Sequence, residues 1–245
     1  MTLPQALLLG LLQGLTEFLP VSSSGHLVIA QHYLGFISPP VVFDILVHVA
    51  TALAVIVVMW SAIIKLNRQL VSLILLASFP AALVGLFLNS QIEALFSSLT
   101  LVGLALLITS LFLFLTKFIK KSSPAKPSFQ NTFIIGLFQA LAIIPGISRS
   151  GSTISAGLFQ GLKPQTAFNF SFLLCLPAIL GAQLLQLSQV VQISSSTLPS
   201  LAIGFLTAFF SGLIALKSLK KIVIQAQLHW FAIYCLTLGL FILLI

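Results

Sequence analysis

A chain of 245 residues with 59% hydrophobic and 6% charged side chains cannot be a water-soluble globule, whose composition includes about a quarter charged residues. With a mean hydropathy of +1.19 it is an integral membrane protein. Its net charge of +8 would suit nucleic acid in a soluble chain, but here the basic residues fall in short loops between apolar runs and act as topology signals.

The first segment, 3–36, is apolar but interrupted by LPVSSSG, so each half is too short to span a ~30 Å hydrocarbon core. It lacks the basic flank and small-residue cleavage site of a signal peptide and is read as part of the mature fold. Three runs long enough to cross as helices follow, at about 41–60, 70–89 and 98–117. A second interrupted segment, 130–161, is broken by IPGISRSG, and three further runs occupy about 166–188, 198–217 and 226–245. The expected fold is all-α, with six transmembrane helices and two re-entrant helix-loop-helix hairpins. Irregular backbone at membrane depth survives only against protein or a water-filled cavity, so both hairpin tips should be buried beside such a cavity. Cys175 and Cys235 lie within apolar spans, form no CxxC or Cys/His pattern, and read as small core residues.

Lys65, Arg68, Lys117, Lys120, Lys121, Lys126, Lys163, Lys217, Lys220 and Lys221 all fall on one side of this six-span arrangement. The opposite loops, around 89–97 and 189–197, contain Glu93 and no Lys or Arg, so the positive-inside rule puts both termini outside. Arg149 is the one basic residue left within the membrane.

At an offset of 126 residues, GLLQGLTEFLPVSSSG (10–25) aligns with GLFQALAIIPGISRSG (136–151), pairing Gly10 with Gly136, Gln13 with Gln139, Ser22 with Ser148, Ser24 with Ser150 and Gly25 with Gly151. The halves, about 1–120 and 130–245, are each one hairpin plus three spans within a single membrane domain. An odd number of spans forces the second half to insert upside down, with the two tips meeting near the midplane.

At the first tip the polar candidates are Gln13, Glu17, Ser22, Ser23, Ser24 and His26. Gln13 and Glu17 share a helical face, and the turn beyond them is placed to bring His26 back, assembling the hydroxyl, imidazole and carboxylate of an activated nucleophile. The second tip supplies Ser148, Arg149, Ser150 and Thr153, a guanidinium fork, hydroxyls and backbone N–H groups suited to phosphate oxygens. Intramembrane charges mark function, although a mutual Glu17–Arg149 salt bridge pinning the hairpins is the plainer alternative. Ser and Gly also serve close helix packing, and Asp44 and His48, on one helical face, suit either a supporting site role or an interhelical hydrogen bond. His32, His229, Trp60 and Trp230 read as interfacial.

The strings QGLTEFLPVSSSGH (13–26) and PGISRSGST (145–153), with FDILVHVA (43–50) and FNFSFLLCLPAILGA (168–182), resemble the bacterial undecaprenyl-diphosphate phosphatase family, also called bacitracin-resistance proteins. The resemblance covers nearly the whole chain. It implies a multi-pass enzyme of the bacterial cytoplasmic (inner) membrane that hydrolyses undecaprenyl diphosphate to the monophosphate, recycling the lipid carrier for peptidoglycan and other envelope polymers and conferring bacitracin resistance. The family's acidic motif falls on Gln13 and Glu17, its serine on Ser23, its histidine on His26 and its arginine on Arg149, with Ser148, Ser150 and Thr153 completing the second motif. Whether Ser23 or His26 is the nucleophile is left open. The first acidic position, often Glu in the family, is Gln13 here. Mg²⁺ or Ca²⁺ is therefore expected to be bridged mainly by substrate phosphates, with Glu17 as the protein ligand. The expected partners are the lipid substrate and the bilayer, with a homodimer left open. The alternative is a transporter or flippase of a polyprenyl phosphate or another anion, because broken helices in inverted repeats are also transporter architecture; a carrier, however, has no need of the Ser23/His26/Glu17 set.

Overall fold

In the computed structural model the described residues are 1–36, 40–119, 126–187 and 197–245. Lys120, Lys121, most of the 189–197 loop and the last residue of the expected 166–188 span lie outside them. The described residues form α1 (Leu3–Phe18), α2 (Ser23–Tyr33), α3 (Val41–Ile63), α4 (Arg68–Phe87), α5 (Asn89–Leu95), α6 (Leu99–Leu115), α7 (Phe129–Leu141), α8 (Arg149–Phe159), α9 (Pro164–Gln186), α10 (Leu198–Ile224) and α11 (Trp230–Leu244). A single 3₁₀ turn, Thr116–Phe118, extends α6.

Among the described residues five helices, α3, α4, α6 extended by its 3₁₀ turn, α9 and α10, are long and apolar enough to cross a membrane. The sixth expected span starts later than its hydropathy suggests. Helix α10 runs on through Lys217–Lys221 to Ile224 and ends in a Schellman turn, with Ala226 at φ 56 and Gln227 N–H donating to Ile222 O. Helix α11 therefore begins only at Trp230 and has 15 residues, about 22 Å at 1.5 Å per residue.

The 126-residue offset reappears in the helix caps. Thr2 opens α1 and Ser128 opens α7, each through a capping box with the residue three places on, Gln5 or Asn131. Helices α2 and α8 have 11 residues each; they start at Ser23 and Arg149 and are N-capped by Ser22 and Ser148, whose hydroxyls accept from Gly25 N–H and Gly151 N–H. The breaks have a local cause. Leu19 is held extended before Pro20 and stops α1, while α7 stops at Leu141 and the chain descends through tight turns into Pro145-Gly146.

Packing between the halves is reciprocal. Helix α1 of the first half lies on α10 of the second, and α7 of the second lies on α4 of the first. Helices α3 and α9 pair, as do α6 and α11, and α3 against α10 matches α4 against α9. Small residues set the closest seams: a Cβ at Gly14 would stand 2.4 Å from Ala208 O, and one at Gly136 would stand 2.6 Å from Ala77 O. Gly14→Val is accordingly expected to cost about 3 kcal/mol through overpacking. Gly181→Ala, where nothing lies within 4 Å of the added carbon, should be neutral or slightly stabilising. Thermal unfolding midpoints in detergent check the pair, and equal midpoints would refute this account of the seam.

The aromatic centre of the core lies just under the hairpin tips. Phe168 and Phe172 of α9 meet at 4.6 Å with their rings tilted by 47°, and Phe18, the last residue of α1, meets Phe172 edge-on at 5.8 Å.

Candidate active site

The first residues of the two short helices meet on one carboxylate. Glu17 sits one residue before the end of α1 and is 7% exposed. Ser23, the first residue of α2, donates to Glu17 Oε2 at 2.6 Å, and Arg149, the first residue of α8, donates from Nη2 to Oε1 at 2.9 Å. Ser23 and Arg149 are exactly one repeat offset apart, so the two halves deliver a hydroxyl and a guanidinium from equivalent places. Both helices thus present their N-terminal ends to Glu17, where the helix dipole favours negative charge. Gln13, one turn earlier on α1, donates to Oε2 at 3.0 Å, and His48 Nε2 of α3 stands 3.9 Å from the same oxygen.

The salt bridge that sequence reasoning held as the plainer alternative is therefore present, and it does not exhaust Arg149. The guanidinium lies 6.0 Å over the Phe172 ring, and its buried Nη1 has no hydrogen-bond partner among the described residues. A buried donor left unpaired costs free energy that an incoming acceptor recovers. Gln13 Oε1 is buried and unpaired in the same way.

The remaining tip hydroxyls lock the turns together. Ser22 Oγ accepts from Gly146 N–H at 3.1 Å, joining the tips, and lies 3.3 Å from Ser24 Oγ. Ser148 Oγ lies 3.3 Å from Ser150 Oγ, and Ser150 donates to Leu19 O at 3.4 Å. Gly146 adopts φ 99, and a Cβ there would stand 2.5 Å from Val102 O, so the residue after Pro145 has no room for a side chain. Thr109 of α6 fixes that turn from behind, donating to Gly146 O and accepting from Ser148 N–H, both at 2.9 Å.

Two expected groupings differ in the structure. His26 does not complete a Ser23–His26–Glu17 chain: its Nδ1 is 2.7 Å from Ser22 O and its Nε2 is 2.7 Å from Tyr234 Oη, while Ser23 engages Glu17 directly. The reason is the helix start: Ser22 O accepts the first bond of α2 from His26 N–H at 3.2 Å, which leaves that carbonyl beside the His26 ring, just as Asp44 O lies beside the ring of His48. Thr153, expected at the anion cradle, spends its hydroxyl on Arg149 O at 2.8 Å and Ser171 Oγ at 2.6 Å. Asp44 is bonded by Gln31 Nε2 at 3.0 and 3.2 Å, and its backbone carbonyl receives His48 Nδ1 at 2.7 Å. That bond leaves His48 Nε2 facing Glu17, so His48 borders the site and Asp44 stands one shell behind it.

Sequence reasoning missed Tyr234, Thr109, Gln31 and Phe172. Each reaches the site from a separate helix, and the serine and threonine content of α6 offers no local signal that would single out Thr109.

The residues present do not fit a protein-held metal ion. Among the described residues no three His, Cys, Asp or Glu side chains gather, and both oxygens of Glu17 already accept from Arg149, Ser23 and Gln13.

Two broken helical segments that share a buried hydroxyl–carboxylate–guanidinium cluster, within a frame of membrane-length apolar helices, define a multi-pass membrane protein with a built polar centre. The family model described as bacitracin resistance protein BacA matches residues 6–241, and the chain belongs to that family. It is 42% identical to the undecaprenyl-diphosphatase of Desulforapulum autotrophicum, covering 98% of this chain and 97% of that protein. The undecaprenyl-diphosphatase of Syntrophotalea carbinolica is likewise 42% identical with the same coverage, and that of Rhodopirellula baltica is 37% identical, again over 98% and 97%.

Proposed function

We propose that this chain is an undecaprenyl-diphosphatase, hydrolysing undecaprenyl diphosphate to undecaprenyl phosphate and inorganic phosphate. The observation that carries the reading is the 2.6 Å hydrogen bond from Ser23 to a carboxylate whose other oxygen holds Arg149. The printed names of the relatives support it.

Ser23 Oγ attacks the terminal phosphorus as its proton passes to Glu17 Oε2. Neutralising Glu17 removes the charge that held Arg149, freeing the guanidinium for the phosphoryl oxygens as negative charge gathers on them. The bond from phosphorus to the bridging oxygen breaks, Glu17 returns its proton to that oxygen, and undecaprenyl phosphate leaves. Water, deprotonated by Glu17, then attacks the phosphoserine, and Ser23 recovers the proton as phosphate departs. Gln13 keeps Glu17 in place through the cycle. This reading gives the base role to Glu17 and the nucleophile role to Ser23, with Ser22, Ser24, Ser148 and Ser150 shaping the tips. Mg²⁺ or Ca²⁺ would arrive with the diphosphate, and no step depends on it.

In the membrane, the two hairpins are read as re-entrant from opposite faces of the bacterial inner membrane, with six spans and both termini outside, following the placement of the lysines. Hydrolysis there would return the carrier to envelope synthesis and deplete the diphosphate that bacitracin resistance concerns. The reciprocal packing of the halves favours one second reading, a carrier of polyprenyl phosphate, which would use Arg149 without Ser23.

Purified protein in detergent, given undecaprenyl diphosphate with and without divalent cation, is expected to release inorganic phosphate. No release by folded protein, together with movement of polyprenyl phosphate in reconstituted vesicles, would replace the enzyme by the carrier.

A further inference from the structure

We propose that Tyr234 is a positioning residue for the first hairpin tip, acting through His26 on the turn that presents Ser23. The proposal rests on the reading of Ser23 as nucleophile.

The hydrogen bonds determine the protonation pattern of His26. Its Nδ1 lies 2.7 Å from the carbonyl oxygen of Ser22, which can only accept, so Nδ1 carries the proton. In the neutral ring Nε2 is then the lone-pair nitrogen, and the Tyr234 hydroxyl 2.7 Å away donates to it. The two rings are parallel to within 8°, with their centroids 5.7 Å apart, so the phenol is held alongside the imidazole as well as bonded to it. His26 itself is buried together with its bond to Ser22 O, whereas Tyr234 is half-exposed on α11 and caps the ring from outside.

Tyr234 arrives 208 residues later in sequence, from the second turn of α11. Its neighbour Cys235 approaches Pro20 O at 3.6 Å, so consecutive residues of α11 touch both sides of the first tip. Thr109 of α6 holds the second tip from the corresponding place in the other half, and α6 and α11 pack together. Each tip is thus braced by the last long helix of the opposite half, Thr109 acting directly on backbone and Tyr234 through an imidazole.

The Ser22 carbonyl that His26 grips belongs to the residue held at φ 70. Ser23, next in the chain, must keep its hydroxyl on Glu17 to react. Removing the phenol frees His26 Nε2, releases the ring from one tautomer and loosens its grip on that strained carbonyl. With both nitrogens engaged, His26 is a fixed strut, consistent with the direct Ser23–Glu17 contact.

Tyr234→Phe in the full-length protein is expected to lower kcat about tenfold, the rate equivalent of one hydrogen bond, with KM unchanged. In a His26→Ala background the same substitution should cost nothing further, because the residue it acts through is gone. Nitrogen-15 NMR of histidine-labelled protein, with His26 assigned by its loss in His26→Ala, should show the Nδ1–H tautomer in the wild type and a freed Nε2 in Tyr234→Phe. Equal rate losses in both backgrounds, or a wild-type His26 protonated on Nε2 alone, would overturn the proposal. A wild type that releases no phosphate would refute the phosphatase reading instead, and the wild-type spectrum would still decide the tautomer.

Discussion

Replacing Arg149 by glutamine is expected to slow phosphate release from undecaprenyl diphosphate by about a thousandfold, the scale of losing a preorganised charge stabiliser from a buried site. The same change strands Glu17, 7% exposed, without the cation that now pairs with it at 2.9 Å. Breaking one side of a buried pair costs about 3–5 kcal/mol, so the unfolding midpoint should fall as well. Kinetic and structural losses separate in the double variant Glu17→Gln/Arg149→Gln. With both charges gone, much of the stability should return while release stays at background. Arg149→Lys should keep the fold but lose the fork that reaches Glu17 and a phosphate oxygen together. An Arg149→Gln protein that stays folded and turns over at the wild-type rate would rule out this site.

Ser23→Ala should abolish release, by about 10⁴-fold or more, while leaving the fold intact. Only one hydrogen bond to the carboxylate is lost, and Glu17 keeps Arg149 and Gln13. Because Ser23 and Glu17 act as a unit, Ser23→Ala/Glu17→Gln should be no slower than Ser23→Ala alone. His26→Ala, which leaves the 2.6 Å Ser23–Glu17 bond in place, should be the milder defect, about ten- to a hundredfold by comparison with losing one or two hydrogen bonds. Rate measurements on folded variants check this order. If His26→Ala were as severe as Ser23→Ala, the base would be the imidazole and the observed Ser23–Glu17 pairing a resting arrangement.

Composition and spacing carried the reading of the site some distance. Gln13, Glu17, Ser23 and Arg149 come together as their positions at the two breaks suggested, and the Gln13–Glu17 pair follows from four-residue spacing on one helix. His26 was assigned to the same cluster because it follows the serines in the chain. Its actual direction depends on the carbonyl of the N-cap Ser22 and on a phenol supplied by α11, and the phenol leaves no mark within residues 13–26. Thr153 misled in the opposite way: its hydroxyl closes back on its own helix and on Ser171, a common option for threonine in an apolar setting.

The sequence by itself determined the membrane class, the two interrupted segments and the 126-residue repeat, and the caps that the structure places at Thr2, Ser22, Ser128 and Ser148 follow the same offset. All of these rest on composition, proline and capping chemistry within a few residues of each position. Only the tertiary structure decided that Ser23 and Arg149 share one carboxylate and that His26 turns to Tyr234. Those outcomes depend on helices more than a hundred residues apart packing reciprocally across the two halves. A buried hydroxyl, imidazole or guanidinium takes whichever partner that packing brings within 3 Å, because leaving it unpaired in apolar surroundings costs free energy.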